Sequence, residues 1–102
     1  MKKEDFDNLR KLKAEADIWR RALKRQNSAE LSQKIERHIK QITALENKIT
    51  EYILNLPDPQ LRSIVYMRSI EGLDWNTIAS QAGGGNTEDS VRKAYARFIN
   101  RL

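Results

Sequence analysis

The sequence predicts an all-α protein with a long N-terminal helical hairpin followed by a three-helix unit. Of its 102 residues, 39% are hydrophobic and 32% are charged, with only four Gly and two Pro. This composition suits amphipathic helices better than a sandwich or a barrel. In the first half, apolar residues recur at steps of three and four, and in the second half turn residues separate short apolar segments. A chain of this length is expected to form one compact unit.

The first predicted helix runs from about Lys3 to Asn27 and carries one apolar stripe along its length. Ser28 then offers its hydroxyl as the N-cap of a second helix, so a short turn near Asn27 would make a hairpin. The stripe consists of Phe6, Leu9, Leu12, Ala16, Trp19 and Leu23.

The second predicted helix, from about Ser28 to Asn55, has the most regular pattern in the chain. Its apolar positions alternate between steps of four and three, which is a heptad seam. Ile39 and Ile53 widen the seam, so this helix is expected to pack on more than one neighbour. The seam comprises Leu31, Ile35, His38, Ile42, Leu45, Ile49, Tyr52 and Leu56.

Pro57 and Pro59 interrupt the helical pattern, because proline lacks a backbone donor and restricts its predecessor. We therefore divide the chain into a hairpin, residues 1–56, and a second unit, residues 57–102. Asp58 is expected to cap a third helix that starts at Pro59 and ends near Gly72. Its inward residues are predicted to be Leu61, Ile64, Val65 and Ile70.

Two further helices are predicted in the C-terminal unit. Asp74 would cap a short fourth helix from Trp75 to about Ala82, in which Trp75, Ile78 and Ala79 are buried. The run 83–86, GGGN, can only be a tight turn, and Thr87 would cap a fifth helix that continues to the C-terminus. The inward residues of that helix are expected to be Val91, Ala94, Tyr95, Phe98 and Leu102, and the outward ones Ser90, Arg92, Lys93, Ala96, Arg97, Asn100 and Arg101.

Charge and residue inventory restrict the possible functions. The formal charge of +5 favours a polyanionic partner. Without cysteine, and with His38 as the only histidine, we expect no metal site and no cofactor. No nucleophile is paired with a base, so we expect no catalytic residues and no enzyme. The charged start of the chain leads into no apolar run of signal-peptide or membrane-spanning length, which predicts a soluble cytoplasmic protein.

The last helix carries the candidate DNA-reading face. From Val91 onward the chain has four basic residues and no acidic one. A short helix, a glycine turn and a final helix with one basic face are typical of a helix-turn-helix that lays its last helix in the major groove. Arg92, Lys93 and Arg97 are candidates for guanine and phosphate contacts, and Ala96 and Arg101 share their face. The alternative is a solvated basic face near a helix C-terminus.

Two other groups are candidate DNA contacts with alternatives that stay open. At the start of the last helix, Thr87, Glu88, Asp89 and Ser90 would approach base edges, or would serve only as helix caps. The second group would touch phosphates beside the groove or form plain exposed surface. It consists of Arg62 and Arg68 on the third helix and Asn76 and Thr77 on the fourth.

Residues 56–79, LPDPQLRSIVYMRSIEGLDWNTIA, resemble the start of sigma-factor region four, in which a leucine-proline precedes a helix and an EGL linker leads into a short helix. The remainder, SQAGGGNTEDSVRKAYARFINRL, is similar to small phage-encoded transcription regulators of the RinA/ArpU kind. The resemblance implies a sigma-region-four-like helix-turn-helix behind a helical N-terminal part. It also implies contact with duplex DNA, beside RNA polymerase, in the control of phage or prophage genes. The glycine turn is longer than in sigma factors, and no region-two segment is present, so promoter melting is not expected.

The leading hypothesis is a sequence-specific, double-stranded DNA-binding transcription regulator. In it the hairpin serves in oligomerisation, with a dimer favoured, or in partner docking, and no membrane is involved. One alternative is a small-terminase-like DNA-packaging adaptor, which would form rings. The other is a module that binds polymerase or another protein without reading DNA.

Overall fold

The computed structural model describes residues 1–102 and confirms the all-α prediction, with five helices and no strand. No helix has the length and the apolar character needed to cross a membrane. The helices are α1 (Lys3–Arg25), α2 (Ala29–Leu54), α3 (Pro59–Ser69), α4 (Trp75–Ala82) and α5 (Glu88–Asn100).

The predicted caps define where four of the helices begin. The side chains of Ser28, Asp58, Asp74 and Thr87 each accept a hydrogen bond from a backbone N–H of the first turn that follows. Each bond satisfies a donor that the helix itself leaves unpaired. The predicted capping roles of these four residues are therefore confirmed.

The predicted end of α1 was too late, whereas the predicted end of α3 near a left-handed Gly72 is confirmed. α1 ends at Arg25 rather than Asn27, because Gln26 adopts an extended conformation and its side chain accepts a hydrogen bond from the N–H of Ser28. α3 ends at Ser69, before Gly72. Gly72 has a φ of 69°, and the next residue, Leu73, donates its N–H to the carbonyl oxygen of Met67 at 3.0 Å. The hydrogen bond from Leu73 and the left-handed conformation of Gly72 together end α3 and direct the chain towards α4.

Helices α1 and α2 pack against each other in antiparallel orientation. Phe6 near the start of α1 meets Tyr52 near the end of α2, whereas Trp19 near the end of α1 meets His38, with ring centroids 6.0 Å apart. Between these ends, the Lys13 ammonium lies 3.6 Å from a carboxylate oxygen of Glu46. The Lys13 ammonium also donates to the backbone carbonyl of Ile70, so it links α1 to the end of α3.

The larger of two buried clusters, which we call the junction core, joins the N-terminal and C-terminal helices. It takes side chains from α1, α2, α3 and α5 and the residue after α3, so it crosses the sequence boundary drawn at residue 56. Its Phe6 and Phe98 rings pack edge to face, with centroids 5.5 Å apart. Its members are Phe6, Leu9, Ile49, Ile53, Val65, Ile70, Phe98 and Ile99.

A second cluster lies entirely among the three C-terminal helices. Ile64 and Met67 of α3 pack with Ile78 and Ala79 of α4 and Val91 of α5. Each of these helices is short, and α4 has only 8 residues. Because burial on both neighbours compensates for the weak helical stability of such short segments, the three helices depend on one another.

Several burial predictions need correction. Leu31, predicted on the heptad seam, is 47% exposed and lines a cavity beside Trp19 of α1. Trp75 is only half-buried. Conversely, Met67 and Ile99 are buried although neither was predicted to be. Each lies at a position where its helix packs against two neighbouring helices. A single apolar stripe in the sequence does not predict burial against a second neighbour.

The molecule is elongated, measuring 52 × 25 × 18 Å along its principal axes. The junction core occupies the end of the α1–α2 pair that contains residues 6 and 53. The opposite end, around the turn at residues 26–28, extends away from the C-terminal helices. We call this end the hairpin tip.

We expect Phe98→Ala to lower the free energy of unfolding by about 3–5 kcal/mol, because the ring is only 7% exposed and packs against three other aromatic rings. Chemical denaturation followed by circular dichroism measures this change. The matched control is Ile18→Ala, whose side chain is 54% exposed and should change stability by less than about 0.5 kcal/mol. An unfolding free energy of Phe98→Ala equal to that of the wild type would mean that the inward face of α5 is wrongly assigned.

Candidate nucleic-acid interface

The turn between α4 and α5 sets the position of the candidate interface. Gly83, Gly84 and Gly85 have φ values of 65°, 62° and 77°, a region that residues with a side chain rarely adopt. The Asn86 side-chain amide donates to the Gly83 carbonyl oxygen at 2.7 Å. The run of glycines thus lets the chain reverse within a few residues and bring α5 back across α4.

The outward face of α5 is confirmed as exposed along the whole helix. Val91, Phe98 and Ile99 are buried on the opposite side, so the direction of the exposed face is fixed by packing. Every residue predicted to point outward is exposed, namely Ser90, Arg92, Lys93, Ala96, Arg97, Asn100 and Arg101.

Asp89 pairs with two of the cations on this face. Its carboxylate lies 3.3 Å from Arg92 and 2.8 Å from Lys93, one turn further along α5. Hydrogen bonds from Lys93 and then Arg92 hold the pKa of Asp89 below its ordinary value of 3.8. The positive charge of the first turns is therefore partly neutralised within the helix. Arg97 and Arg101 make no ion pair with any other residue.

Two of the residues predicted to contact base edges, Thr87 and Ser90, serve as helix caps. Thr87 Oγ1 accepts the N–H of Ser90, and Ser90 Oγ accepts the N–H of Thr87, so the two side chains satisfy each other's backbone donors. The Ser90 hydroxyl also lies 3.1 Å from the side-chain oxygen of Asn86. By contrast, Glu88 is exposed and makes no ion pair.

Arg62 and Arg68 are not the plain exposed cations that one interpretation of the sequence anticipated. Both are half-buried. The Arg62 guanidinium donates to the carbonyl oxygen of Leu56 at 2.6 Å, which ties α3 to the chain leaving α2. The Arg68 guanidinium donates to the Leu73 carbonyl oxygen at 3.0 Å and lies 4.3 Å from the ring centroid of Trp75. Burial, and secondarily the nearby Arg10 cation, lowers the pKa of Arg68.

The two candidates on α4 differ in their surroundings. Asn76 is exposed, whereas Thr77 is half-buried and donates its backbone N–H to the Asp74 side chain at 2.7 Å. That hydrogen bond is the main reason that the pKa of Asp74 lies below its ordinary value of 3.8. Asn76 is therefore the α4 candidate whose side chain is most accessible to a partner.

A basic cleft between α1 and α3 was missed by sequence reasoning. It has a volume of about 380 Å³ and contains Arg10 and Lys11 of α1 beside Arg68 of α3. In the sequence, Arg10 and Lys11 are ordinary polar-face residues of an amphipathic helix. Only the packing of α1 on the C-terminal helices brings them near Arg68, so no local signal could have identified the cleft.

The only histidine of the chain lies at the contact between α1 and α2. His38 lies 3.3 Å from Glu15 and edge to face with Trp19, so its side chain serves the α1–α2 contact, as expected for a polar residue on a helical seam. No group of three or more His, Cys, Asp or Glu residues is arranged to hold a metal ion. Comparisons with protein-family models, with curated proteins and with solved structures found no match.

We expect Asp89→Asn to raise affinity for duplex DNA several-fold, because it removes a carboxylate that pairs with Arg92 and Lys93. Fluorescence anisotropy with labelled duplexes at low salt measures the change. Glu88→Gln is the matched control, since it alters charge by the same amount one residue away without breaking an ion pair, and its effect should be smaller. A loss of affinity confined to one DNA sequence would instead assign Asp89 to base recognition.

Proposed function

We propose that this protein is a sequence-specific, double-stranded DNA-binding transcription regulator of phage or prophage origin. In this proposal α3–α5 form a helix-turn-helix unit of the sigma-region-four kind, and α1 and α2 form a helical hairpin that supports it. The observation that carries the proposal is the outward face of α5, which is exposed over its whole length and has only basic charges beyond Asp89.

The dimensions of α5 suit the major groove. Its 13 residues make a rod about 20 Å long and about 10–12 Å wide, and the major groove is about 12 Å wide. A short helix precedes α5 through a tight turn, and in helix-turn-helix proteins such a helix crosses the sugar-phosphate backbone while the next one enters the groove. The exposed Asn76 on α4 fits a phosphate contact of this kind.

Position along α5 suggests the role of each side chain. Residues in the first turns of a recognition helix approach base edges, so Arg92 and Lys93, which pair with Asp89 in the free protein, are the candidates for reading sequence. Ala96 offers a methyl group to thymine. Arg97 and Arg101, further along the helix, suit phosphate contacts, because both are exposed and neither is paired with an acid.

Two further parts of the proposal concern partners of the protein. The resemblance of residues 56–102 to sigma region four and to small phage regulators supports action beside RNA polymerase. The proposal also assigns α1 and α2 to a homodimer. A dimer would bind paired half-sites.

Selection of bound duplexes from fragmented genomic DNA at near-physiological salt, followed by sequencing, tests the proposal. We expect enrichment of one short element, because contacts to base edges add to the sequence-independent attraction to phosphates. Recovery of fragments without any common element would contradict sequence-specific regulation. It would favour a protein-interaction role with only weak, salt-sensitive DNA affinity.

We expect Arg92→Ala and Lys93→Ala each to weaken binding to the selected element while leaving the melting temperature nearly unchanged, because both side chains project from the surface. If either cation contacts a phosphate, the slope of log affinity against log salt should fall by about 0.9. Arg20→Ala is the control, since Arg20 is equally exposed but lies near the hairpin tip. Unfolding of either α5 variant would show that its side chain is needed for the fold.

A further inference from the structure

The basic cleft is lined by residues of four helices, α1, α3, α4 and α5. Arg10 and Lys11 come from α1, Arg68 from α3, and Trp75 from the start of α4. The remaining lining residues are Phe6, Asp7, Ser69 and Tyr95. Phe6 belongs to the junction core, and Trp75 and Tyr95 pack together with ring centroids 5.4 Å apart, so three aromatic rings form part of the cleft wall.

Positive charge exceeds negative charge in this cleft. Its lining contains three cations and one carboxylate, that of Asp7, and neither Arg10 nor Lys11 forms an ion pair. A second carboxylate, that of Asp74, lies outside the lining and interacts with the charge of Arg68. A hydrogen bond to the Leu73 carbonyl oxygen and contact with the Trp75 ring hold the Arg68 guanidinium near Arg10. Like charges fixed near each other favour the entry of an anion that lies between them.

The shape and chemistry of the cleft favour a phosphate group. Arginine presents several N–H donors in a planar fork that matches phosphate oxygens, and Lys11 adds a mobile ammonium. Arg68 uses one of its nitrogens for the Leu73 carbonyl, and its other N–H groups can still donate. The Ser69 hydroxyl lies 3.1 Å from the Tyr95 hydroxyl, so a polar pair borders the cations.

We propose that this cleft binds a phosphate group and, resting on the proposed function, that the group is a backbone phosphate of the bound duplex. The cleft opens beside the start of α4, the helix that would cross the sugar-phosphate backbone. A phosphate held there is contacted from both α1 and α3. The N-terminal helix is then part of the DNA-binding surface as well as a support for it.

The first arm of the test asks whether the cleft binds a phosphate-bearing anion without DNA. Inorganic pyrophosphate is titrated into the full-length 15N-labelled protein, and the two tryptophan indole N–H signals are followed. We expect the Trp75 signal to shift and the Trp19 signal, from the hairpin tip, to stay. The double variant Arg10→Gln, Lys11→Gln should lose the shift, whereas Arg20→Gln, Arg21→Gln, with the same loss of charge on the same helix, should keep it.

The second arm measures duplex affinity against salt concentration for the same three proteins. The cleft variant should lose about 0.9 from the slope of log affinity against log salt, as expected for one phosphate contact, and the control variant should match the wild type. Circular dichroism melting of both variants checks that they fold, and all four substituted side chains are exposed.

The two arms separate the possible outcomes. Loss of the indole shift together with the reduced slope supports the proposal in full. An indole shift with an unchanged slope overturns the DNA source and assigns the cleft to a free phosphorylated molecule. Absence of the Trp75 shift together with an unchanged slope overturns the site itself. If the wild type binds no duplex, the proposed function fails, and the pyrophosphate arm alone decides whether the cleft binds phosphate.

Discussion

The packing of α5 against the N-terminal helices is the constraint on which the rest of the structure depends. Phe98 and Ile99 of α5 lie in one buried cluster with Phe6, Leu9 and Ile53. Three short C-terminal helices alone bury only a modest apolar surface, since small units expose a large fraction of their residues. The α1–α2 pair supplies the missing apolar partners. The orientation of α5 is therefore set by residues at the opposite end of the chain.

This shared core also determines which charges reach the surface. Because one side of α5 is buried in both clusters, its basic residues can only lie on the opposite side. The same packing brings α1 beside α3 and creates the cleft that contains Arg10 and Arg68. Both candidate binding surfaces thus arise from one arrangement of apolar side chains, and a change that loosens the junction core would disturb both.

The features that the sequence predicted correctly are those with local causes. Ser28, Asp58, Asp74 and Thr87 cap helices through bonds to residues two or three positions away, so the cause lies within a short segment. The wrong or missed features depend on distant partners. Ile99 is buried because α5 has a second neighbour, and Lys13 reaches the Ile70 carbonyl across 57 positions of the chain. Periodicity carries no information about such contacts.

Asp89 forms ion pairs with Arg92 and Lys93 within α5, and these pairs affect how much each surface cation would contribute to DNA affinity. The charges of Arg92 and Lys93 are already paired with the Asp89 carboxylate. In binding a phosphate, each cation would therefore exchange one ionic partner for another. Exposed pairs of this kind contribute little to stability, and the exchange is close to balanced. Arg97, Arg101 and Arg10 give up no ion pair, so their contacts with phosphates would add more net affinity. Arg92 and Lys93 are then better suited to discrimination between sequences, because a wrong sequence leaves Asp89 as their best partner.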